Sequence, residues 1–420
     1  MAENKDKYNL YTEKIKEKPW NKHKTLFRIM KLAGASAFAG LIAGLVFLVV
    51  LWAGAADKEP QDDLRHEVTF AMEEYPGTDT NQNVEDTETK ADENLTKAAE
   101  EDSSMTMEDN LYDYVANKIA DISPSMTTVT AINQNEDPLF AMVQDKVDFP
   151  GIIIADNEVE YLILTAYDIG DVDYIEVTFA DGTKTPASLV MTDRTLSVAV
   201  IAVDHEDLPD ATESAIKIVQ LGNSYMLKQG ELVIAMGNLY GITSAVDFGT
   251  AVSTKEAAYE SDSKHGLIYT NMNGTKDNAG FLFNDEGMLI GYVSSNYSSD
   301  SIVAYGISDI KIRLQNMTNR KPIGYLGVVG HELSEAVVSG NNVPMGVYVT
   351  SVEYASPAYF AGILNGDVIT DISGRTITNV YNIERAMCEF EPGTEVQVTV
   401  NRKGKDGYVP IVFTITLGGQ

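Results

Sequence analysis

Beyond Leu111 the chain returns again and again to short apolar runs, TTVTAI, GIIIA, YLILTA, YIEVTFA, SVAVIAV, ELVIAMG and GMLIGYV, broken by Gly, Asp or Asn. Runs this short and this closely spaced read as β-strands, and many such strands in succession specify a barrel or a sandwich. Helix is expected at the start of this region, Leu111 to Ile122, and at its end. A second compact segment begins near Ile323, with strand-like GVYVTSV, VQVTVNR and VPIVFTITL around a helical stretch from Val380 to Phe390. This is the pattern of a short β domain with one or two helices. At 420 residues the chain has room for two or three domains, each with its own core.

One stretch breaks the pattern. Leu32 to Ala56 reads LAGASAFAGLIAGLVFLVVLWAGAA, without a charge, and about 20 apolar residues suffice to cross a bilayer. Residues 1–31 hold nine basic side chains (Lys5, Lys7, Lys14, Lys16, Lys18, Lys22, Lys24, Arg28 and Lys31), whereas the other flank opens with Asp57, Lys58 and Glu59 and adds Asp62 and Asp63. The charge asymmetry places the N-terminus in the cytoplasm and the rest outside. A cleaved signal peptide is the rival reading, but its apolar region is usually only about 7–15 residues. Gly40 and Gly44 form a GxxxG, a spacing that permits close helix pairing but is also common in unpaired membrane helices. From residue 57 to 110 the text is acidic and polar with few apolar residues, apart from a short amphipathic patch at Val68 to Tyr75, and is expected to be a solvated, disordered stalk.

Charge and cysteine content narrow the function classes. With 62 acidic and 31 basic residues the net charge is -31, a field that repels nucleic acid phosphates, so no nucleic acid partner is expected. The single cysteine, Cys388, excludes an intrachain disulfide and a cysteine zinc site. No cofactor and no metal are expected. Cys388 sits in a helical ERAMCEF and reads as a small packing residue.

Three longer phrases carry a resemblance. They are YLILTAYDIGDVDYIEVTFADGTKTPASLVMTDRTLSVAVIAV, then LGNSYMLKQGELVIAMGNLYG, then YTNMNGTKDNAGFLFNDEGMLIGYVSS followed by YGIS. In order and spacing they resemble the trypsin-like protease domain of the HtrA (DegP) family. The later YLGVVG and GVYVTSVEYASPAYFAGILNGDVITDISGRTI are similar to the PDZ domain that follows it in that family. The resemblance covers roughly residues 111–420, and an anchor ahead of it suits HtrA proteins of Gram-positive bacteria. It implies a mostly β chain: cytoplasmic tail 1–31, transmembrane helix 32–56, acidic linker 57–110, a two-lobed trypsin-like β-barrel domain 111–320, and a PDZ domain 321–420.

Such a protease needs a serine nucleophile, a histidine base and an aspartate to orient it, because a serine hydroxyl alone is too weakly acidic to attack an amide. Residue by residue, the family's histidine phrase falls on Leu164, Thr165, Ala166, Tyr167 and Asp168, so Asp168 stands for the base. The orienting aspartate falls on Ser197. The nucleophile phrase falls on Lys276, Asp277, Asn278, Ala279 and Gly280, so Asn278 stands for the serine. An amide conjugated with its own carbonyl is no nucleophile. Lys276 and Ala279 replace glycines that shape the oxyanion loop. The expectation is a degenerate triad and a pseudoprotease.

Substitute chemistry finds little support. The five histidines are His23, His66, His205, His265 and His331, and none matches the family's base; His205 reads as a turn residue. Ser294 and Ser295 lack a nucleophile elbow. Asp168 and Asp277 could face each other and hold a cation or share a proton, although each is more simply a solvated acid. The sequons at Asn94, Asn273, Asn296 and Asn316 matter only in a eukaryotic secretory pathway.

The PDZ resemblance assigns peptide capture. Gly324, Tyr325, Leu326, Gly327 and Val328 resemble the loop whose backbone N–H groups hold a terminal carboxylate. Ile383 and Met387, with Phe390, share one face of the helix that would close the groove, a stripe that serves equally as core. The functional expectation is an inactive homologue that binds C-terminal peptides or unfolded proteins in the cell envelope. The alternative is an active endopeptidase with a non-standard site. Because the family tends to form trimers, a homotrimer or a mixed oligomer with active HtrA subunits would suit a regulatory role.

Overall fold

The computed structural model describes residues 65–76, 107–135, 143–165, 172–275, 278–294, 297–298 and 300–419. The tail 1–31 and the apolar stretch 32–56 lie outside the described residues; among the described residues no helix is long and apolar enough to cross a membrane.

Helix α1 (Met107–Ile122) opens the folded region. It buries Val115 and Ile122, with Ile119 partly covered; these positions lie four and three apart, on one helical face. Six strands follow: β1 (Met126–Asn135), β2 (Val143–Asp156), β3 (Glu160–Thr165), β4 (Tyr174–Thr178), β5 (Lys184–Asp193) and β6 (Val198–Asp204). They close into a barrel in the order β1-β2-β3-β6-β5-β4. After a single-turn helix α2 (Asp210–Glu213) come β7 (Leu232–Leu239), β8 (Ile242–Glu260), β9 (Ser263–Asn273), β10 (Ala279–Asn284), β11 (Leu289–Ser294) and β12 (Ser301–Gly306). These close a second barrel in the order β10-β11-β12-β9-β8-β7.

The most apolar runs are apolar because both of their faces are buried. In β3, Tyr161 and Ile163 fill the first barrel while Leu162 and Leu164 point outward into a core shared by the two barrels. In β6, Ala199, Ile201 and Val203 face the first barrel's interior, and Val198, Val200 and Ala202 face the shared core. The second barrel reciprocates with Phe281, Phe283 and Tyr292 in the shared core and Leu282, Ile290 and Val293 inside. Each fully buried Leu, Ile or Phe contributes about 1.5–3 kcal/mol, so this shared layer holds the lobes together.

Helix α3 (Ile307–Thr318) leads into the last domain. That domain comprises β13 (Gly324–Tyr325), β14 (Val328–Glu332), α4 (Glu335–Asn341), β15 (Val347–Val352), α5 (Pro357–Ala361), β16 (Val368–Ile372), β17 (Arg375–Thr376), α6 (Val380–Glu389), β18 (Glu395–Lys403), β19 (Tyr408–Thr416) and β20 (Gly418–Gly419). Its main sheet runs β14-β15-β16-β18-β19 and has its own apolar core, which includes Ile383 and Met387. Helix α6 begins on a capping box formed by Asn379 and Asn382, which satisfies N–H groups that would otherwise lack partners.

The stalk expectation needs a correction for residues 65–76. This segment lies along α3: the Val68 N–H donates to Asn319 Oδ1 at 2.8 Å, and the Phe70 N–H to Gln315 Oε1 at 3.0 Å. Val68 is buried, Glu73 pairs with Lys311, and Tyr75 stacks on Tyr381 at 5.2 Å. Composition alone marks the segment as solvated, but the side-chain amides of Gln315 on α3 and of Asn319 just after it supply its extended backbone with partners, and the amphipathic patch supplies apolar area.

Candidate functional site

Of the three positions at which the resemblance seeks a triad, Ser197 and Asn278 are described, and each directly precedes a strand, β6 and β10 respectively. Strands β3 and β6 are antiparallel, with Thr165 opposite Ala199, so the chain leaving β3 and the chain entering β6 lie at the same end. Asp168 follows β3 and lies outside the described residues, as do Lys276, Asp277 and Ser295. Ser197 enters β6 half-buried with φ +54°, between Leu196 and Val198, both buried in the shared core. The carbonyl of Leu196 accepts the Tyr292 hydroxyl at 3.1 Å, which fixes this corner against the second barrel.

Asn278 directly precedes β10 and is buried. Its Oδ1 accepts the Thr275 hydroxyl at 2.9 Å, and its own N–H donates to the Thr275 carbonyl at 3.4 Å. Gly274 makes room for it, because a Cβ there would stand 2.6 Å from Asn278 Nδ2. The side chain is therefore packed into its own loop by hydrogen bonds. Nearby, Gly237 pairs with Gly280 so closely that a Cβ on Gly237 would sit 2.5 Å from the Gly280 Cα. A cavity of about 380 Å³ opens beside Gly237, between β1 of one barrel and the β7–β8 turn of the other.

Among the described residues the histidines lie against carboxylates or aromatic rings. His205 follows β6 at the end opposite Ser197; it meets Asp156 and Glu213 at 3.1 and 3.3 Å and stacks on Tyr161. His331 lies against Tyr259, and His66 pairs with Glu158. Cys388 is buried, and burial pushes its thiol up to about 12, the state of an inert packing residue. Asn316 is buried and donates to the Cys388 carbonyl at 2.6 Å, so that sequon is inaccessible.

The PDZ loop is the better formed site. Three successive backbone N–H groups, those of Leu326, Gly327 and Val328, converge on one carboxylate with donor–acceptor distances of 2.7–3.0 Å. Gly327 has φ +85°, and a Cβ there would lie 2.3 Å from Ser356 Cβ, so glycine is required for the turn that aims these amides inward. The carboxylate is that of Asp262, in the two-residue turn between β8 and β9. Asp262 is fully buried; desolvation raises its carboxyl, opposed by the amides of Gly327, Val328 and Leu326. Ile383 and Met387, on α6, are buried in the core of the same domain, with α6 also packed on β9.

Behind this contact runs a buried network of charged side chains. Arg313 of α3 donates to Asp193 of β5 at 2.7 Å and to Glu384 of α6 at 2.5 Å. His265 of β9 reaches the same Glu384 oxygen at 3.3 Å and Glu260 of β8 at 3.5 Å. Glu260 also accepts the hydroxyls of Tyr305 and Tyr297. Burial would lower the His265 imidazole, but the carboxylates of Glu384 and Glu260 outweigh it and raise it to about 10, so His265 is a buried cation. The network joins the first barrel, the second barrel and the PDZ helix. Its members are far apart in sequence, and no local motif marks them.

The fold and these features define a trypsin-like double barrel joined to a PDZ domain. Two family models match, a trypsin-like peptidase domain over residues 150–291 and a PDZ domain over residues 309–411. The chain is 28% identical over 284 residues to a probable periplasmic serine endoprotease DegP-like of Halomonas elongata, covering 64% of this chain and 56% of that protein. It is 30% identical over 256 residues to a protein so described from Pseudomonas savastanoi pv. phaseolicola, covering 58% and 51%. The chain thus spans about half the length of these curated relatives. Among solved structures it resembles the HtrA-type protease AlgW with decapeptide, with a TM-score of 0.52, 21% identity, and coverage of 73% of this chain and 98% of that one. AlgW with tripeptide gives a TM-score of 0.52 at 22% identity, covering 73% and 97%. A trypsin-like peptidase domain followed by a PDZ domain is the class these matches define, and across both the chain is similar to DegP-like serine endoproteases.

Proposed function

We propose that this chain is a catalytically inactive HtrA-like protein that captures exposed C-termini or unfolded segments of envelope proteins through its PDZ domain, in a scaffolding or regulatory role in protein quality control. Residues 32–56 are its membrane anchor in this reading, with the described domains outside the cytoplasmic membrane. The observation that carries the proposal is the convergence of the Leu326, Gly327 and Val328 N–H groups on a carboxylate. Backbone capture of this kind is indifferent to the loss of side-chain chemistry elsewhere. The solved AlgW complexes hold a decapeptide and a tripeptide, which supports peptide as the ligand class.

Inactivity is supported by residue type and by hydrogen bonding. An asparagine amide at the nucleophile position, engaged by Thr275, has no lone pair to offer a carbonyl carbon. A carboxylate at Asp168 and a hydroxyl at Ser197 do not reproduce a base and its orienting acid.

The test combines two assays on the full chain. Fluorescence anisotropy with decapeptides ending in apolar residues should show saturable binding for the free carboxylate and none for the C-terminal amide. Unfolded casein should stay intact while an active HtrA protease digests it. Binding of both peptide forms alike would refute carboxylate capture, and cleavage that survives purification would refute inactivity.

A further inference from the structure

The carboxylate loop of the PDZ domain is filled from within the same chain. Strand β9 begins at Ser263, directly after Asp262, and β8 ends at Glu260, so Ser261 and Asp262 form the tip of a long hairpin of the second barrel. Asp262 presents its two oxygens to the three amides of Leu326, Gly327 and Val328, and its own N–H donates to the Val328 carbonyl at 2.7 Å. A carboxylate on the amide nest together with a backbone bond to the first residue of β14 reproduces what an added peptide strand makes at such a site. Neighbouring contacts hold the hairpin in place: the Ser261 hydroxyl donates to Glu353 at 3.0 Å, Lys264 pairs with Glu332 at 3.1 Å, and Tyr259 lies on His331. Asp262 pays with a left-handed backbone, φ +60°, which Asp tolerates better than most residues.

From these contacts we infer that Asp262 is an internal ligand of the PDZ carboxylate loop, and that a C-terminal peptide binds only by displacing the tip of the β8–β9 hairpin. The inference rests on the carboxylate-capture reading proposed above. An intramolecular carboxylate is present at an effective concentration on the order of millimolar or higher, so it excludes weak and incidental C-termini and admits those with enough side-chain contact to compete. The apparent affinity for peptide is then the intrinsic affinity reduced by the fraction of molecules with the tip released.

The experiment titrates the full chain and its Asp262→Ala variant with a fluorescein-labelled decapeptide pool randomised over Val, Leu, Ile and Phe at its last three positions, as free acid and as amide. Removal of the internal carboxylate should tighten binding of the free acid by about tenfold or more and leave the amide unbound. Asp262→Asn, which keeps the shape and one acceptor oxygen, should fall between. In the unmodified protein, saturating free-acid peptide should raise amide hydrogen exchange at residues 258–266, a readout that does not depend on how a variant folds. Equal free-acid affinity in wild type and variants, with no change in exchange at the hairpin tip, would overturn the internal ligand while leaving carboxylate capture standing. Absence of any preference for the free acid in every form would overturn the capture reading, and this inference with it.

Discussion

The inter-barrel corner and the PDZ loop are both built at strand ends, yet they stand differently with respect to function. At the corner the two barrels meet with β6 and β10 beginning beside the shared core, and Tyr292 locks Leu196 beside Ser197. In the proposed reading the chemistry there would depend on the identity of three side chains, and the positions that the resemblance assigns to them hold Asp168, Ser197 and Asn278. In the PDZ loop the chemistry lies in three backbone amides, and one glycine conformation is enough to aim them. Side-chain chemistry is lost by single substitutions that leave the fold intact, whereas backbone chemistry is lost only when the local fold is lost.

The largest expected effect sharpens the first half of that comparison. If three side chains act as a unit, restoring one of them restores almost nothing, because deleting any member of such a triad costs on the order of 10^4–10^6 in turnover. Asn278→Ser in the full chain should therefore leave casein digestion at background. The triple variant Asp168→His, Ser197→Asp and Asn278→Ser is the one in which activity should first be seen. Digestion by the single variant would show that a base already serves this corner.

The second prediction addresses the other half. Gly327→Ala places a Cβ 2.3 Å from Ser356 Cβ at a residue with φ +85°; strain of this kind costs about 1–3 kcal/mol. The turn should open and the amides lose their convergence. Binding of free-acid peptide should be abolished, and thermal unfolding should show a lower midpoint for the PDZ domain. Unchanged binding would mean that the amides of Leu326 and Val328 suffice without this turn.

How much of this was legible in the sequence follows from the same physics. Strands β2, β3, β6, β7 and β11 were visible because both faces are buried, which forces continuous apolar runs such as YLILT and SVAVIAV. Strand β8 has no such run: its residues from Ile242 to Glu260 are largely exposed or half-buried, and its pairing with β9 shifts register twice. The hairpin tip that fills the PDZ loop is equally unmarked, since Ser261 and Asp262 look like any polar turn. The loop from Gly324 to Val328 stands out through its resemblance, and its role in peptide capture is a proposal; the stripe positions Ile383 and Met387 lie buried in the core of the PDZ domain. The Arg313, Glu384 and His265 network was not legible, because a buried ion cluster drawn from β5, α3, β9 and α6 has no signature in local spacing.

That network yields the smallest and most discriminating prediction, because it ties the hairpin to the PDZ helix. His265 is held protonated by Glu384 and Glu260, its imidazole raised to about 10 from an ordinary value near 6.5. A group whose folded value is raised contributes stability that is fully present below the unfolded value and is lost as pH rises through the folded one. The contribution should therefore be complete below about pH 6.5 and decline progressively up to about pH 10. His265→Gln removes the titrating group, so its thermal midpoint should lie below wild type at pH 6.5, and the gap should close by about pH 10.5. Since about 1 kcal/mol moves the midpoint of a domain of this size by roughly 2–4 °C, a gap of a few degrees is measurable by calorimetry. A gap that stays constant across this range would mean that His265 acts through packing and not through its charge. The alkaline loosening should also appear as faster hydrogen exchange at the hairpin tip. There the network that anchors the second barrel meets the loop that Asp262 occupies.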